Sequence, residues 1–283
     1  MIGPEETDAL LARIAMADRD AFQTFYSATS ASLFGVCLRV LNNDTEAEDV
    51  IQTLYADVWD DADALRRGAV TPDLQLALHA RQAAISLKRA RRSETPEIKT
   101  RDLYPSQHAH GFDYDTEAEG LQTALAQLPP ARALLLDRVL IGGESYEDLA
   151  TASDVDEPTI RASIRSTLGK LSSGFDPVSG QDEDRMIAIA ERVLGLKEDS
   201  LNDATLRTSD ALNTWQREIG AYVLARTTPI EPPSQVSRRI TARVFQETRE
   251  TLWDQLWPYA VGGVVAALVL WVAVSSDVLV AFE

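Results

Sequence analysis

Apolar residues recur three and four positions apart along most of the chain, and no stretch of useful length alternates apolar with polar residues. A period of 3.6 gathers such residues on one face of a helix, whereas a half-buried strand needs a period of two. The pattern predicts an all-α fold for the soluble portion. Phe22, Phe25, Leu33, Val36 and Val40 place either a helix pair, or one long helix broken near Ser30, over 18–41. Asn42-Asn43-Asp44 is a turn, and Thr45 with Glu48 fits a capping box. The helix that follows carries Ala47, Val50, Leu54 and Val58 on its apolar face and ends within 59–62. A third helix, from Asp73 to about Arg92, finishes in Lys88, Arg89, Arg91 and Arg92, cations that suit a helix C-terminus.

Glycine and proline divide the rest. Residues 1–92 form a first helical domain, and 93–120, with Pro96, Pro105, Gly111 and Gly120, a linker. Residues 121–172 hold four helices separated at Pro129-Pro130, Gly142-Gly143 and Asp154 to Pro158, and 173–181 is a second linker. The segment 182–250 contains three more helical stretches, over 182–195, 199–227 and 234–250, with Pro229, Pro232 and Pro233 ahead of the last.

From Pro258 to Val274 run seventeen uncharged residues. That is near the roughly 20 that cross a bilayer, and a buried core helix is the other reading. Trp253, Trp257, Tyr259 and Trp271 near the ends and Gly262-Gly263 inside favour a transmembrane helix over 256–275, with 276–283 as a short tail. Arg238, Arg239, Arg243 and Arg249 precede the run and no Lys or Arg follows it, which sets the N-terminus in the cytoplasm. The first twenty residues carry five acids and no long apolar run, so no signal peptide is expected. Together these features predict a single-pass membrane protein with its N-terminus in the cytoplasm.

The net charge of −17 argues against a protein that coats nucleic acid through bulk electrostatics. Any contact with DNA must come from local basic patches. The single cysteine, Cys37, excludes an intramolecular disulfide and leaves no Cys pair for zinc; among Phe34, Val36, Leu38 and Val40 it reads as core. The chain has no phosphate loop and no metal-ligand spacing, and its only histidines are His79, His108 and His110. No cofactor, metal or enzymatic activity is expected.

The strongest local motif is a helix-turn-helix. Ser145-Tyr146-Glu147-Asp148 caps a short helix, the turn covers Ser153 to Asp156, and a longer helix opens at Glu157-Pro158, where proline is tolerated. Ile160, Ile164, Leu168 and Leu171 form its buried stripe. Arg161 and Arg165, four apart, share the outer face, either to approach a major groove or as a solvated surface.

The stretch from Leu125 to Leu171 resembles region four of extracytoplasmic-function sigma factors, through its Leu-Pro, the glycines before the motif, Tyr-Glu-Asp-Leu-Ala and Thr-Ile-Arg. Asp18 to Ala62 resembles region two, with the Ala-Glu-Asp-Val-x-Gln helix at its centre. The resemblance implies that Glu46, Glu48, Asp49, Gln52 and Trp59 lie on or beneath a surface docked on core RNA polymerase. It places the helix ending in Lys88, Arg89, Arg91 and Arg92 at the minus-ten promoter element, and Thr159, Arg161 and Arg165 at the minus-thirty-five element. Departures from the family pattern fall at His79-Ala80-Arg81-Gln82, Ser86, Ser163 and Ser166.

The C-terminal third resembles the cytoplasmic domain of zinc-free anti-sigma factors, through AIAERVLGL at 188–196, Trp215, the proline-rich break at 229–233 and SRRITARVF ahead of the apolar run. This resemblance implies a sigma to anti-sigma contact, within one chain or between chains, through Ile187, Val193, Leu194, Leu196, Leu212, Trp215, Ile219 and Val223. A short linker gives a tethered partner an effective concentration on the order of millimolar, enough to keep a weak contact closed. The expectation is a promoter-specific initiation factor held at the membrane by its own inhibitory segment. The alternative is a membrane-bound regulatory or sensor protein whose sigma-like part binds polymerase, or another partner, without reading DNA.

Overall fold

The computed structural model describes residues 3–91, 114–175, 183–196 and 210–245, and no strand occurs among them. Residues up to Val236 make one compact unit, and Ser237 to Glu283 a second. The divisions read from the sequence at 93, 121 and 182 fall inside the first unit.

Its N-terminal group contains α1 (Pro4–Ile14), α2 (Arg19–Leu41), α3 (Asp44–Asp60), α4 (Ala62–Arg66) and α5 (Pro72–Ala90). Asp18 caps α2 by accepting from the Asp20 and Ala21 amides, both at 3.0 Å. Asn42, at φ 49°, closes it. The break expected near Ser30 is absent. Thr24, Ser27 and Thr29 hydroxyls donate to carbonyls four residues back, so the polar run stays satisfied within the helix. The cap of α3 is Asn43, whose side chain accepts from the Glu46 amide at 3.2 Å, and not Thr45, which already lies inside the helix.

Helices α2, α3 and α5 pack on one another around Phe22, Phe25, Phe34 and Tyr55, all buried, with α1 against α2 and α4. The Phe22 ring meets Tyr55 and Trp59 edge-on, at 6.2 and 5.4 Å between centroids. Cys37 is fully buried as expected, and burial pushes its thiol well above its usual range.

A second helical group comprises α6 (Tyr114–Glu117), α7 (Glu119–Ala126), α8 (Pro130–Leu140), α9 (Tyr146–Ser153) and α10 (Glu157–Phe175). Helical residues occupy 114–117 and 119–120 and the stretch 173–175, inside the two expected linkers, whose remaining parts, 93–113 and 176–181, lie outside the described residues. The Tyr114 hydroxyl donates to Asp73 at 2.8 Å and the Leu121 amide to Glu218 at 3.0 Å; both partners are remote in sequence. The breaks between α7 and α10 lie where proline and glycine placed them. Gly143, at φ 59°, turns the chain ahead of α9 against Ile85 and Val40, where a Cβ would lie 2.6 Å from the Ile85 side chain.

The last group is α11 (Glu183–Val193) and α12 (Asp210–Arg226), followed by a helix over 234–245. Helix α12 lies against α5, α6, α7 and α2, and α11 against α10 and α12, so neither belongs to a bundle of its own. The apolar run assigned to 256–275 lies outside the described residues. Among those described, no helix is long and apolar enough to cross a membrane.

Candidate functional site

The residues singled out on α3 occupy different surroundings. Glu46 pairs with Arg91 at 2.7 Å, so one expected polymerase contact neutralises one expected phosphate contact. Glu48 is buried, with Gln235 Nε2 3.4 Å from its carboxylate, and the Gln52 side chain donates to the Glu48 carbonyl at 3.2 Å. Glu48 and Gln52 thus brace the helix. Trp59 is half-buried against Phe22. Asp49 is exposed and rims a groove of about 570 Å³ between α3, α4 and α5, floored by Leu54, Leu65 and Leu76 and edged by Asp57 and His79.

The cations of α5 meet helix ends and turns of the same chain. Lys88 Nζ donates to the Gly142 carbonyl at 3.2 Å, and Arg89 donates to the Gly195 carbonyl. Arg92 lies outside the described residues. The residue that ties these elements together is Arg81, which carried only a departure from the family pattern. Its side chain is fully buried. Nε donates to Leu140 O at 2.9 Å and Nη2 to Val139 O at 2.5 Å. Both terminal nitrogens reach Leu194 O at 3.2 Å, and Nη1 reaches Val193 O at 3.5 Å. Gln82 donates to Arg192 O and Val193 O at 3.1 and 3.0 Å. These acceptors lie at or next to the C-termini of α8 and α11, where carbonyls lack intrahelical partners and the helix dipole is negative. Burial lowers the Arg81 pKa to about 10, with the nearby Arg89 charge adding to the effect, so the guanidinium stays charged at neutral pH. A lone arginine flanked by Ala77, Leu78, Ala80, Ala84 and Ile85 was the available sequence signal.

In the helix-turn-helix, Ser145 and Asp148 form the expected capping box, and Asp154, at φ 52°, makes the turn. Ile160, Ile164, Leu168 and Leu171 are buried as read. Thr159 is exposed at the start of α10, its amide and hydroxyl donating to Asp156 at 3.1 and 3.0 Å. Arg161 pairs with Glu157 and stacks over the Tyr146 ring at 4.6 Å.

Arg165 departs from the expected open face. Nη1 lies 2.8 Å from Glu191 and Nη2 3.3 Å from Asp184, both on α11. Glu191 has no exposed side-chain surface and also accepts from the Tyr146 hydroxyl at 2.7 Å. Burial and the neighbouring carboxylate raise the Tyr146 pKa above its usual range. A buried carboxylate needs such partners, and it draws Arg165 toward α11 instead of solvent.

Of the apolar positions expected at a sigma to anti-sigma contact, Ile187, Val193, Leu194, Leu212, Trp215, Ile219 and Val223 are buried and Leu196 is half-buried. Polar contacts add to this packing: Tyr222 donates to Asp137 at 2.9 Å, and the Ile230 amide to Ala31 O at 2.9 Å. Among the described residues, no cluster of His, Cys, Asp or Glu could hold a metal.

No protein-family model matches the chain. It is 25% identical over 185 residues to the ECF RNA polymerase sigma factor SigK of Mycobacterium ulcerans (strain Agy99), covering 62% of this chain and 99% of that protein. The SigK of Mycobacterium tuberculosis (strain ATCC 25618 / H37Rv) is 24% identical over the same coverage. That of Mycolicibacterium vanbaalenii (strain DSM 7251 / JCM 13017 / BCRC 16820 / KCTC 9966 / NRRL B-24157 / PYR-1) is 27% identical over 173 residues, covering 59% and 87%. The proteins this chain is similar to are thus extracytoplasmic-function RNA polymerase sigma factors. Since a match to 99% of a relative uses 62% of this chain, the chain carries a substantial portion with no counterpart there.

Proposed function

We propose that the chain binds core RNA polymerase, directs it to particular promoters, and is held inactive by its own C-terminal segment. Residues 1–175 supply the initiation factor. Polymerase docks along α3 over Glu46, Asp49 and Trp59, with Glu48 and Gln52 beneath that surface, and promoter DNA contacts Lys88, Arg89, Arg91 and Arg92 on one element and Thr159, Arg161 and Arg165 on the other. The observation that carries the reading is the engagement of both cationic elements by α11 and the turn after it: Arg89 by the Gly195 carbonyl, and Arg165 by Glu191 and Asp184. Carboxylates and carbonyls stand where phosphate oxygens would bind.

Residues 182–250 form the inhibitory segment, with the contact made within one chain, and 256–275 anchor the protein in the inner membrane with the N-terminus cytoplasmic. Arginines before the apolar run and none after it support that orientation.

The test is promoter-specific transcription in vitro with core polymerase, comparing the full chain with residues 1–175. Activity confined to the truncated protein is expected. Failure of folded 1–175 to bind core polymerase or to start at a promoter would sink the proposal. A second reading, in which the sigma-like part binds polymerase without reading DNA, is favoured by Ser163 and Ser166 on α10; it predicts polymerase binding by 1–175 with no promoter-directed transcript.

A further inference from the structure

We propose that α11 is a two-ended clasp, keyed by Arg81 at one end and Glu191 at the other, so that the cationic face of α5 and the second helix of the helix-turn-helix open together or not at all. The inference deepens the inhibitory reading above and rests on it for its functional meaning.

Both anchors fall within the five residues 191–195, at the C-terminus of α11 and the turn that follows it. Glu191 receives Arg165 and Tyr146 from the helix-turn-helix. Carbonyls of Arg192, Val193, Leu194 and Gly195 receive Arg81, Gln82 and Arg89 from α5. The turn between them is fixed by its own hydrogen bonds: the Leu194 amide donates to Ala190 O at 2.9 Å and the Leu196 amide to Glu191 O at 2.8 Å, with Gly195 at φ 68°. A rigid helix end cannot leave one partner while keeping its seat on the other.

The two ends are also unequal in chemistry, and this makes partial opening unfavourable. Withdrawing α11 from α5 takes the Val193 and Leu194 carbonyls from a fully buried guanidinium and leaves it only the α8 carbonyls. Withdrawing it from α10 separates Arg165 from a carboxylate with no solvent-exposed surface. Removing one partner of a buried, hydrogen-bonded charge is among the costlier local changes a fold can suffer. Because Arg81 also holds the end of α8, the junction joins three segments through one side chain.

The test is hydrogen exchange on the full chain in detergent micelles, comparing the unaltered protein with E191Q, E191A and R81K, and with E157Q as a control confined to the Arg161 pair. Either Glu191 variant should raise exchange across 81–91 and 136–142, and R81K should raise it across 157–168, each by about 5- to 150-fold, the ordinary range for coupled sites. E157Q should move neither, and α1 and α2 should stay unchanged in all four. A rise confined to the altered end overturns the proposal. So does an equal rise through α1 and α2, which marks general loosening in place of a clasp. Because no polymerase is involved, these outcomes are separate from the fate of 1–175 in transcription, which alone decides the sigma reading.

Discussion

The seating of the C-terminal segment on α2 predicts a mutation whose effect changes sign with chain length. Gly35 lies mid-helix, and a Cβ there would sit 2.4 Å from the Thr228 carbonyl oxygen and 3.1 Å from Thr227 Cγ2. Non-bonded carbon to oxygen contacts begin near ~3.3 Å, so G35A forces the 227–230 segment back by about 1 Å. That displacement strains the Ile230 amide to Ala31 carbonyl bond, 2.9 Å long, whose net worth is about 1 kcal/mol. Overpacking adds about 1–3 kcal/mol. Against this stands the helix-forming advantage of alanine over glycine, about 1 kcal/mol. The full chain should therefore lose about 1–3 kcal/mol. In residues 1–175 the obstructing carbonyl is gone and only the helix term remains, so the same substitution should stabilise by about 0.5–1 kcal/mol. Urea unfolding followed by circular dichroism on both lengths, with and without G35A, measures the two signs. Stabilisation of the full chain by G35A would refute the seating of Thr228 against α2.

Glu218 is buried, and burial raises its carboxyl pKa above the ordinary 4.5 even though the Leu121 amide opposes the shift. The native state then holds this proton more tightly than the unfolded chain, so the contribution to stability declines as pH rises from 4.5 through the raised value. The stability of the native chain relative to E218Q should fall over that window and then level; a flat or rising difference would refute the assignment. Asn43 caps α3, and N43A should lower stability by about 1 kcal/mol and fray the turn that carries Glu46. An unchanged urea midpoint would show that the cap contributes nothing.

Much of the fold was legible because helices announce themselves locally. The stripe Ile160, Ile164, Leu168 and Leu171 was read from spacing and is buried, and the Ser145 cap was read from a four-residue pattern and is formed. Asn43 was missed because Thr45 and Glu48 offered an equally good local pattern two residues later, and only backbone geometry separates them. The break near Ser30 was wrongly expected for a similar reason: a Ser and Thr run signals a break unless its hydroxyls find carbonyls within the helix, as those of Thr24, Ser27 and Thr29 do.

The candidate site was legible in its cations and not in their partners. Lys88, Arg89, Arg161 and Arg165 stood out as local charge, yet Gly142, Gly195, Tyr146 and Glu191 became their partners only through folding. Arg81 shows the division most sharply. The sequence by itself determined that an arginine interrupts an apolar helical face, that the described residues are helical, and where proline and glycine break the helices between α7 and α10, since these follow from residue type and short-range spacing. The tertiary structure alone decided that this arginine joins the ends of α8 and α11, with acceptors 58 and 113 residues away. Main-chain carbonyls are identical at every residue, so no sequence pattern can say which of them a buried guanidinium will find.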